Sequence, residues 1–269
     1  MSVEDSEVTL ATLRALKRQG GKFACLTAYD ASFTHLLEAA GVDVLLVGDT
    51  LGMMVQGHDS TLPVTLADMI YHTRCIARAR RRALIMTDMP FMSAATPAQA
   101  LAGAARLMQE GGAHCVKIEG GRVMADAVRA LSERGLPVCA HLGLLPQSVR
   151  KLGGYRVQGR DEHAAAVLLE DARILAEAGA DILLLECVPA ALAERVTAAT
   201  ELPVIGIGAG AGCDGQVLVL YDMLGITPGK RPRFSKDFLA GAGSVQAAVE
   251  AYVRAVKAGE FPGREHTYA

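Results

Sequence analysis

A single-domain α/β fold, closed as a (β/α)8 TIM-type barrel over residues 1–269, is what this sequence predicts. Strand-like apolar runs alternate strictly with helical stretches, which calls for a parallel sheet joined by right-handed crossovers. The runs are near-continuous, as in strands buried on both faces. Seven strand–helix units and an eighth apolar segment fit the 269 residues, close to the ~250 typical of a barrel. A helix-to-strand turn recurs at residues 40–43, 111–114 and 178–181, as expected of one repeated unit.

VTLATLRALKRQGG places apolar residues at helical spacing and stops at a glycine pair, so a short helix leads the chain. FACLTAY is the first strand. A helix over about Asp30 to Ala40 follows, with Phe33, Leu36 and Leu37 on one face and Gly41 at its end. VDVLLVGD is the second strand, and LGMMVQGHDSTLPVT after it reads as a long irregular loop. Thr65 caps the helix LADMIYHTRCIARA, ALIMTDMPF is a strand, and Thr96 with Pro97 opens the helix PAQALAGAARLMQEGG. AHCVKIEG, a helix over about 123–132, and LPVCAHLG come next. LLPQSVRKLGGYRVQGRD is a second irregular stretch, a candidate lid over the strand ends. The helix EHAAAVLLEDARILAEAG, strand ADILLLEC, helix PAALAERVTAAT, strand LPVIGIGAG and apolar segment GQVLVLYDMLG complete the units. A tail helix is expected over about Ser244 to Ala258.

With 51% hydrophobic and 21% charged residues and a net charge of −2, the chain shows no polyanion-binding character. Its basic cluster Arg78, Arg80, Arg81 and Arg82 reads as a solvated helix end, so no nucleic-acid partner is expected. MSVEDSEV is acidic and lacks the basic start of a secretory leader, and no apolar run approaches the ~18 residues of a membrane span. A cytoplasmic protein is expected, with no membrane partner. Its six cysteines have no C-x-x-C pair and read as small buried hydrophobes, not as zinc ligands.

Six runs end on polar or catalytic residue types or on glycine: Asp49, Asp88, Glu119, His141, Glu186 and Gly208. In parallel α/β folds the carboxyl ends of strands carry the reactive groups, which makes these positions the candidate pocket. Asp49, Asp88 and Glu119 end three consecutive strands, and neighbouring strands lie about 5 Å apart. Three converging carboxylates suit Mg²⁺, a hard cation that keeps waters for a substrate to displace; alternatively, individual acids cap helices or pair with a local Arg. Lys117 shares a strand face with Glu119 and would neutralise the carboxylates or hold an enolate oxygen. A Schiff base is disfavoured, because adjacent carboxylates raise its pKa.

Glu186, counted as two strands beyond His141, ends so apolar a run that desolvation would raise its pKa toward that of a general base. A structural buried acid is the other reading. His141 is either a hydrogen-bond donor to a substrate carboxylate or a satisfied core histidine. GIGAGAGCDG lacks the position and spacing of a dinucleotide fingerprint; Gly208 instead suggests close approach of the backbone to a ligand.

The ordered set LTAYD, VGDTLGM, GHDSTLPVT, TDMPF, VKIEGG, HLGLLPQSV, GGYRVQG, LLLECVP, IGIGAG and DGQVLVLYDMLG closely resembles the ketopantoate (3-methyl-2-oxobutanoate) hydroxymethyltransferase family over nearly the whole chain. The resemblance implies transfer of a hydroxymethyl group from 5,10-methylenetetrahydrofolate, the co-substrate, to 3-methyl-2-oxobutanoate. The product would be 2-dehydropantoate, on the route to pantothenate. It implies one Mg²⁺ per subunit at Asp49, Asp88 and Glu119, substrate contacts at Asp49, Thr50, Asp88, Lys117 and His141, and Glu186 as catalytic base. It further implies a large homo-oligomer, typically a decamer. Thr50, Leu145, Cys213 and Tyr221 depart from residues common in the family, and the last three would bear on the folate side. The basic stretch around Lys230 would meet a polyglutamate tail or remain a solvated loop. The competing reading is a Mg²⁺-dependent C–C lyase or mutase of the phosphoenolpyruvate mutase and isocitrate lyase type.

Overall fold

The computed structural model describes residues 6–227, 229 and 231–269. Lys230 and most of the acidic start of the chain lie outside them. Eight strands, β1 (Phe23–Thr27), β2 (Val44–Val47), β3 (Leu84–Asp88), β4 (Cys115–Glu119), β5 (Val138–Gly143), β6 (Ile182–Glu186), β7 (Val204–Ile207) and β8 (Gly215–Leu218), pair in sequence order. Every pairing is parallel, and β8 pairs with β1 to close the barrel. The expected (β/α)8 fold is therefore present, with no free sheet edge.

Strand periodicity divides the core in two. Phe23, Cys25, Val44, Leu46, Leu84, Met86, Cys115, Cys139, Ile182, Leu184 and Ile205 form one cluster, which is the barrel interior. Their neighbours Ala24, Leu26, Leu45, Ile85, Val116, Ala140, Leu183 and Leu185 belong to the second cluster, between sheet and helices. Continuing the inward alternation along β3 to β6 puts Asp88, Lys117, Glu119, His141 and Glu186 inside, above the apolar layers. Acids at the strand ends thus converge because the period is two and the sheet is closed.

The helix Leu10–Arg18, capped reciprocally by Thr9 and Thr12, closes the amino-terminal end of the barrel. Its Leu13 is fully buried in the interior cluster. Arg14 pairs with Asp181 at 2.6 Å and Lys17 with Asp214 at 2.8 Å, both acids standing just ahead of strands. The outer helices follow the sequence signals: Asp30 caps 31–39, Thr65 caps 66–79, Thr96 caps 97–106, and Ser244 caps 245–257.

Differences from the sequence expectation are local. The helix begun at Pro97 changes at Leu107–Gly111 into a single π turn. There Gly111 packs so tightly on the helix 66–79 that a Cβ would lie 3.2 Å from the Thr73 side chain. Both irregular loops contain helical turns, at Leu51–Met54 in the first and at Pro146–Ser148 and Val149–Leu152 in the second. The basic cluster is only partly solvated: Arg80 donates to the Ala83 carbonyl and pairs with Glu7, while Arg82 reaches Asp43 and the Val42 carbonyl. Five of the six cysteines are buried and all are free thiols. Among the described residues no helix is long and apolar enough to cross a membrane.

Candidate active site

The carboxyl ends of the strands surround a pocket that opens to solvent. Asp49, Asp88, Lys117, Glu119, His141 and Glu186 all line it, with Thr50 at its edge and apolar Leu46, Leu184 and Ile207 below. Of the strand-end positions marked in the sequence, all but Gly208 line this one cavity.

Asp88, Lys117 and Glu119 form the densest part. Lys117 Nζ lies 3.1 Å from Asp88 Oδ1 and 3.7 Å from Glu119 Oε1, with all three side chains at most 5% exposed. Burial opposes the charge on Lys117, but the carboxylates of Asp88, Glu119 and Asp49 outweigh it and hold the ammonium above the ordinary lysine range. That excludes a neutral, Schiff-base-forming amine. Burial raises the pKa of Asp49, and repulsion from Asp88 and Glu119 adds to it. Asp88 is also raised by burial, against the pull of Lys117. Three acids around one buried cation leave an excess of negative charge.

The oxygens of this cluster divide by partner. Asp88 Oδ2 accepts from the Asp49 backbone N–H at 3.0 Å, and Glu119 Oε2 from the Gln147 N–H at 3.0 Å. Asp88 Oδ1 and Glu119 Oε1 are buried without a hydrogen bond, their nearest cation being Lys117 at ion-pair distance. Among the described residues no three His, Cys, Asp or Glu side chains are grouped so as to hold a metal ion by themselves. A tetrahedral structural site does not fit. A hard cation that takes one or two carboxylates and keeps several waters does.

His141 links the cluster to Glu186. Its Nδ1 lies 3.0 Å from Lys117 Nζ, and its Nε2 lies 3.4 Å from Glu186 Oε2 without hydrogen-bond geometry. Burial and the Lys117 charge oppose protonation of the ring, but Glu119 and Glu186 outweigh them and hold its pKa above the ordinary histidine value. A charged ammonium can only donate across the 3.0 Å contact, so a neutral ring would accept at Nδ1 and carry its proton on Nε2, toward Glu186.

Glu186 is on the strand next to that of His141, not two strands away: the His141–Leu184 and Gly143–Glu186 registers make β5 and β6 neighbours. Its side chain keeps 14% exposure, against 4% for Glu119, so the complete desolvation expected from the ILLLE run is not met. The chain turns sharply after it, with Cys187 at φ 48°, a left-handed value uncommon outside glycine.

Thr50 meets the hydroxyl of Tyr29 at 2.9 Å, and Tyr29 in turn packs 6.1 Å from the Tyr221 ring. Gly208, at φ 61°, is indeed closely approached, but by the protein itself: a Cβ there would lie 3.0 Å from Phe234 and 3.1 Å from Tyr268. Tyr268 also accepts the Ala190 N–H through its carbonyl, so the C-terminal tail rests on the site side of the barrel. Cys213 is buried in the outer core, away from the cavity lining.

Sequence reasoning missed Gln147 and Tyr155. Gln147 Nε2 donates to Asp49 Oδ2 at 2.9 Å and to the Met89 carbonyl at 3.0 Å. Tyr155 reaches across to Met53 at 3.7 Å, and Gln158 N–H donates to the Cys187 carbonyl. The stretch 144–159 is therefore a strap over the strand ends. The signal available was a polar residue inside the loop motif LLPQSV, whose side-chain direction only the fold supplies.

Residues 7–264 match the family model for ketopantoate hydroxymethyltransferase. The chain belongs to that family. Among curated relatives in the family, the 3-methyl-2-oxobutanoate hydroxymethyltransferase of Nitrosococcus oceani is 61% identical over 261 residues, covering 97% of this chain and 99% of the relative. That of Thiobacillus denitrificans is 63% identical over 262 residues, with the same coverage. Beyond the family, the barrel is similar to the solved structure of a phosphoenolpyruvate phosphomutase from Streptomyces platensis subsp. rosaceus. The TM-score is 0.61 at 16% identity, over 97% of this chain and 92% of that one. At that identity the likeness is one of fold.

Proposed function

We propose that this chain transfers a hydroxymethyl group from 5,10-methylenetetrahydrofolate to 3-methyl-2-oxobutanoate, forming 2-dehydropantoate. Identity of about 60% to relatives bearing that activity in their names supports the reading. The observation that carries the chemistry is the division of the cavity into an acid-rich side with one buried ammonium and an opposite carboxylate reached through His141.

Asp49, Asp88 and Glu119 are the carboxylates from which a Mg²⁺ ion would take one or two ligands, with waters completing its shell, and the two buried oxygens without hydrogen bonds are the feature that favours a cation there. Such an ion supplies Lewis-acid polarisation of a keto oxygen when bound. The remaining roles belong to the chain. Glu186, the most accessible acid of the set, takes the proton from C3 of the keto acid. The Nε2–H of His141 faces its carboxylate and orients it. Lys117, held charged, stabilises the negative charge that develops on the enolate oxygen. Thr50, braced by Tyr29, and His141 are contacts for the keto acid. The apolar residues Leu184 and Ile207 keep water from the carbanion.

Product formation measured with and without methylenetetrahydrofolate tests the transfer; turnover of the keto acid that proceeds unchanged without folate would instead support the lyase or mutase reading that the shared fold leaves available. Chelation followed by Mg²⁺ add-back tests the ion, and full activity in thorough chelator would sink it. A cytoplasmic homo-oligomer, a decamer by family resemblance, completes the proposal. Exposed Tyr71, Met92 and Val123 are consistent with subunit contacts, and light scattering measures the mass directly.

A further inference from the structure

Gln147 makes three hydrogen bonds to groups around the cavity, and no other described residue is shown bonded to both Asp49 and Glu119. Its side-chain nitrogen donates to Asp49 Oδ2 and to the Met89 carbonyl, and its backbone N–H donates to Glu119 Oε2. Both side-chain partners are acceptors only, so the amide orientation is fixed by them. The residue sits in the turn Pro146–Ser148, at the root of the strap.

These bonds decide which oxygens remain. Gln147 occupies one oxygen each of Asp49 and Glu119, while the Asp49 N–H occupies one of Asp88. The buried oxygens left without hydrogen bonds, Asp88 Oδ1 and Glu119 Oε1, both lie within ion-pair distance of Lys117, and Glu119 Oε1 also lies 3.6 Å from His141 Nδ1. A neutral amide does this without adding a positive charge that would compete with a cation. Arg or Lys at 147 would cancel the negative charge that the cluster offers; an amide fixes its direction instead.

We propose that Gln147 is a positioning residue for the cation site, orienting Asp49 through its side chain and Glu119 through its backbone, and that it ties the strap 144–159 to the occupancy of that site. The inference rests on the reading of Asp49, Asp88 and Glu119 as a divalent-cation site. It concerns affinity for the ion before any substrate is present, which separates it from support of the strap alone.

The test is Mn²⁺ binding to the full-length protein without substrates, followed by electron paramagnetic resonance of the free ion. Gln147→Met keeps the length and removes the donor; Gln147→Ala is run in parallel in case methionine does not pack, with melting temperature recorded for both. Loss of a hydrogen-bonding partner behind a metal ligand typically costs about 10- to 100-fold in affinity, and that weakening is expected in each variant. A folded variant that binds Mn²⁺ as tightly as the unaltered chain overturns the proposal. So does a loss confined to KM for the substrates, which would mark the residue as part of the strap only. Unaltered protein that takes up no Mn²⁺ would overturn the cation reading and this inference together, whereas normal uptake by both proteins would leave that reading standing.

Discussion

Gly143 has no side chain where the carbonyl oxygen of Glu186 passes: a Cβ on it would lie 2.2 Å from that oxygen and 2.8 Å from Val188 Cγ1. At φ 93° the position also holds a backbone conformation that L side chains rarely adopt. The end of β5 is thus shaped around the residue proposed as base on β6. Gly143→Ala is expected to push the Glu186 backbone outward and to cost about 1–3 kcal/mol as overpacking. Activity should fall by more than the melting temperature alone explains, and kinetics on the folded fraction will show whether it does.

Replacing Glu186 by Gln keeps size and removes the base. The expected result is a fall in kcat of about 10²- to 10⁴-fold, the usual contribution of a positioned acid or base, with little change in keto-acid KM. Exchange of the C3 hydrogen into deuterated water, followed by nuclear magnetic resonance without folate, isolates the step; exchange at the unaltered rate would reject the assignment.

Lys117 is buried between acids, so Lys117→Met should be strongly destabilising, by about 3–5 kcal/mol for a broken buried pair. The folded pKa of Lys117 is raised above its unfolded value near 10.5. Its contribution is therefore fully present at neutral pH and is lost only as pH climbs through the folded value. Thermal melts at pH 7 should show the loss, and melts near pH 5 should show less of it, because the stranded carboxylates can take up protons there.

For Asp49 the sign is opposite. Burial and repulsion raise its folded pKa above the unfolded value near 3.8, so the folded chain binds a proton more tightly than the unfolded chain. Its charged form costs stability as pH rises through that window. Asp49→Asn is expected to melt higher than the unaltered protein at pH 7 in chelator, by about 2–4 °C for each kcal/mol gained. The advantage should vanish in acid, and Mn²⁺ binding should be lost. A variant that melts lower at pH 7 would show that this carboxylate is not under repulsion.

The barrel was legible because its evidence is periodic. Eight apolar runs with helices between them admit few arrangements, and the acids that end β3, β4 and β6 point inward once the sheet closes. Asp88, Glu119 and Glu186 could be assigned to one pocket on that ground. What stayed hidden depends on distances between loops. The spacing LLPQSV does not say that Gln147 turns inward onto Asp49, and the run GIGAG does not say that Phe234 and Tyr268 cover Gly208. Counting strands also misplaced Glu186 relative to His141, since only the register makes the two neighbours. Arg80 and Arg82 read as solvated because their acceptors, the Ala83 carbonyl and Asp43, are contributed by the fold.

The described residues nearest the two termini lie at opposite faces of the barrel. Val8 pairs with the Arg82 carbonyl beneath β3, alongside the helix that stoppers the floor, whereas Tyr268 lies against Gly208 and the segment after Glu186. Affinity handles are therefore not interchangeable on this protein. A peptide fused ahead of the first helix lies toward the closed floor, while one fused after Ala269 lies on the side of the cavity. Purification and immobilisation through the leading end leave the cavity clear, and immobilisation through the trailing end presses it toward the support.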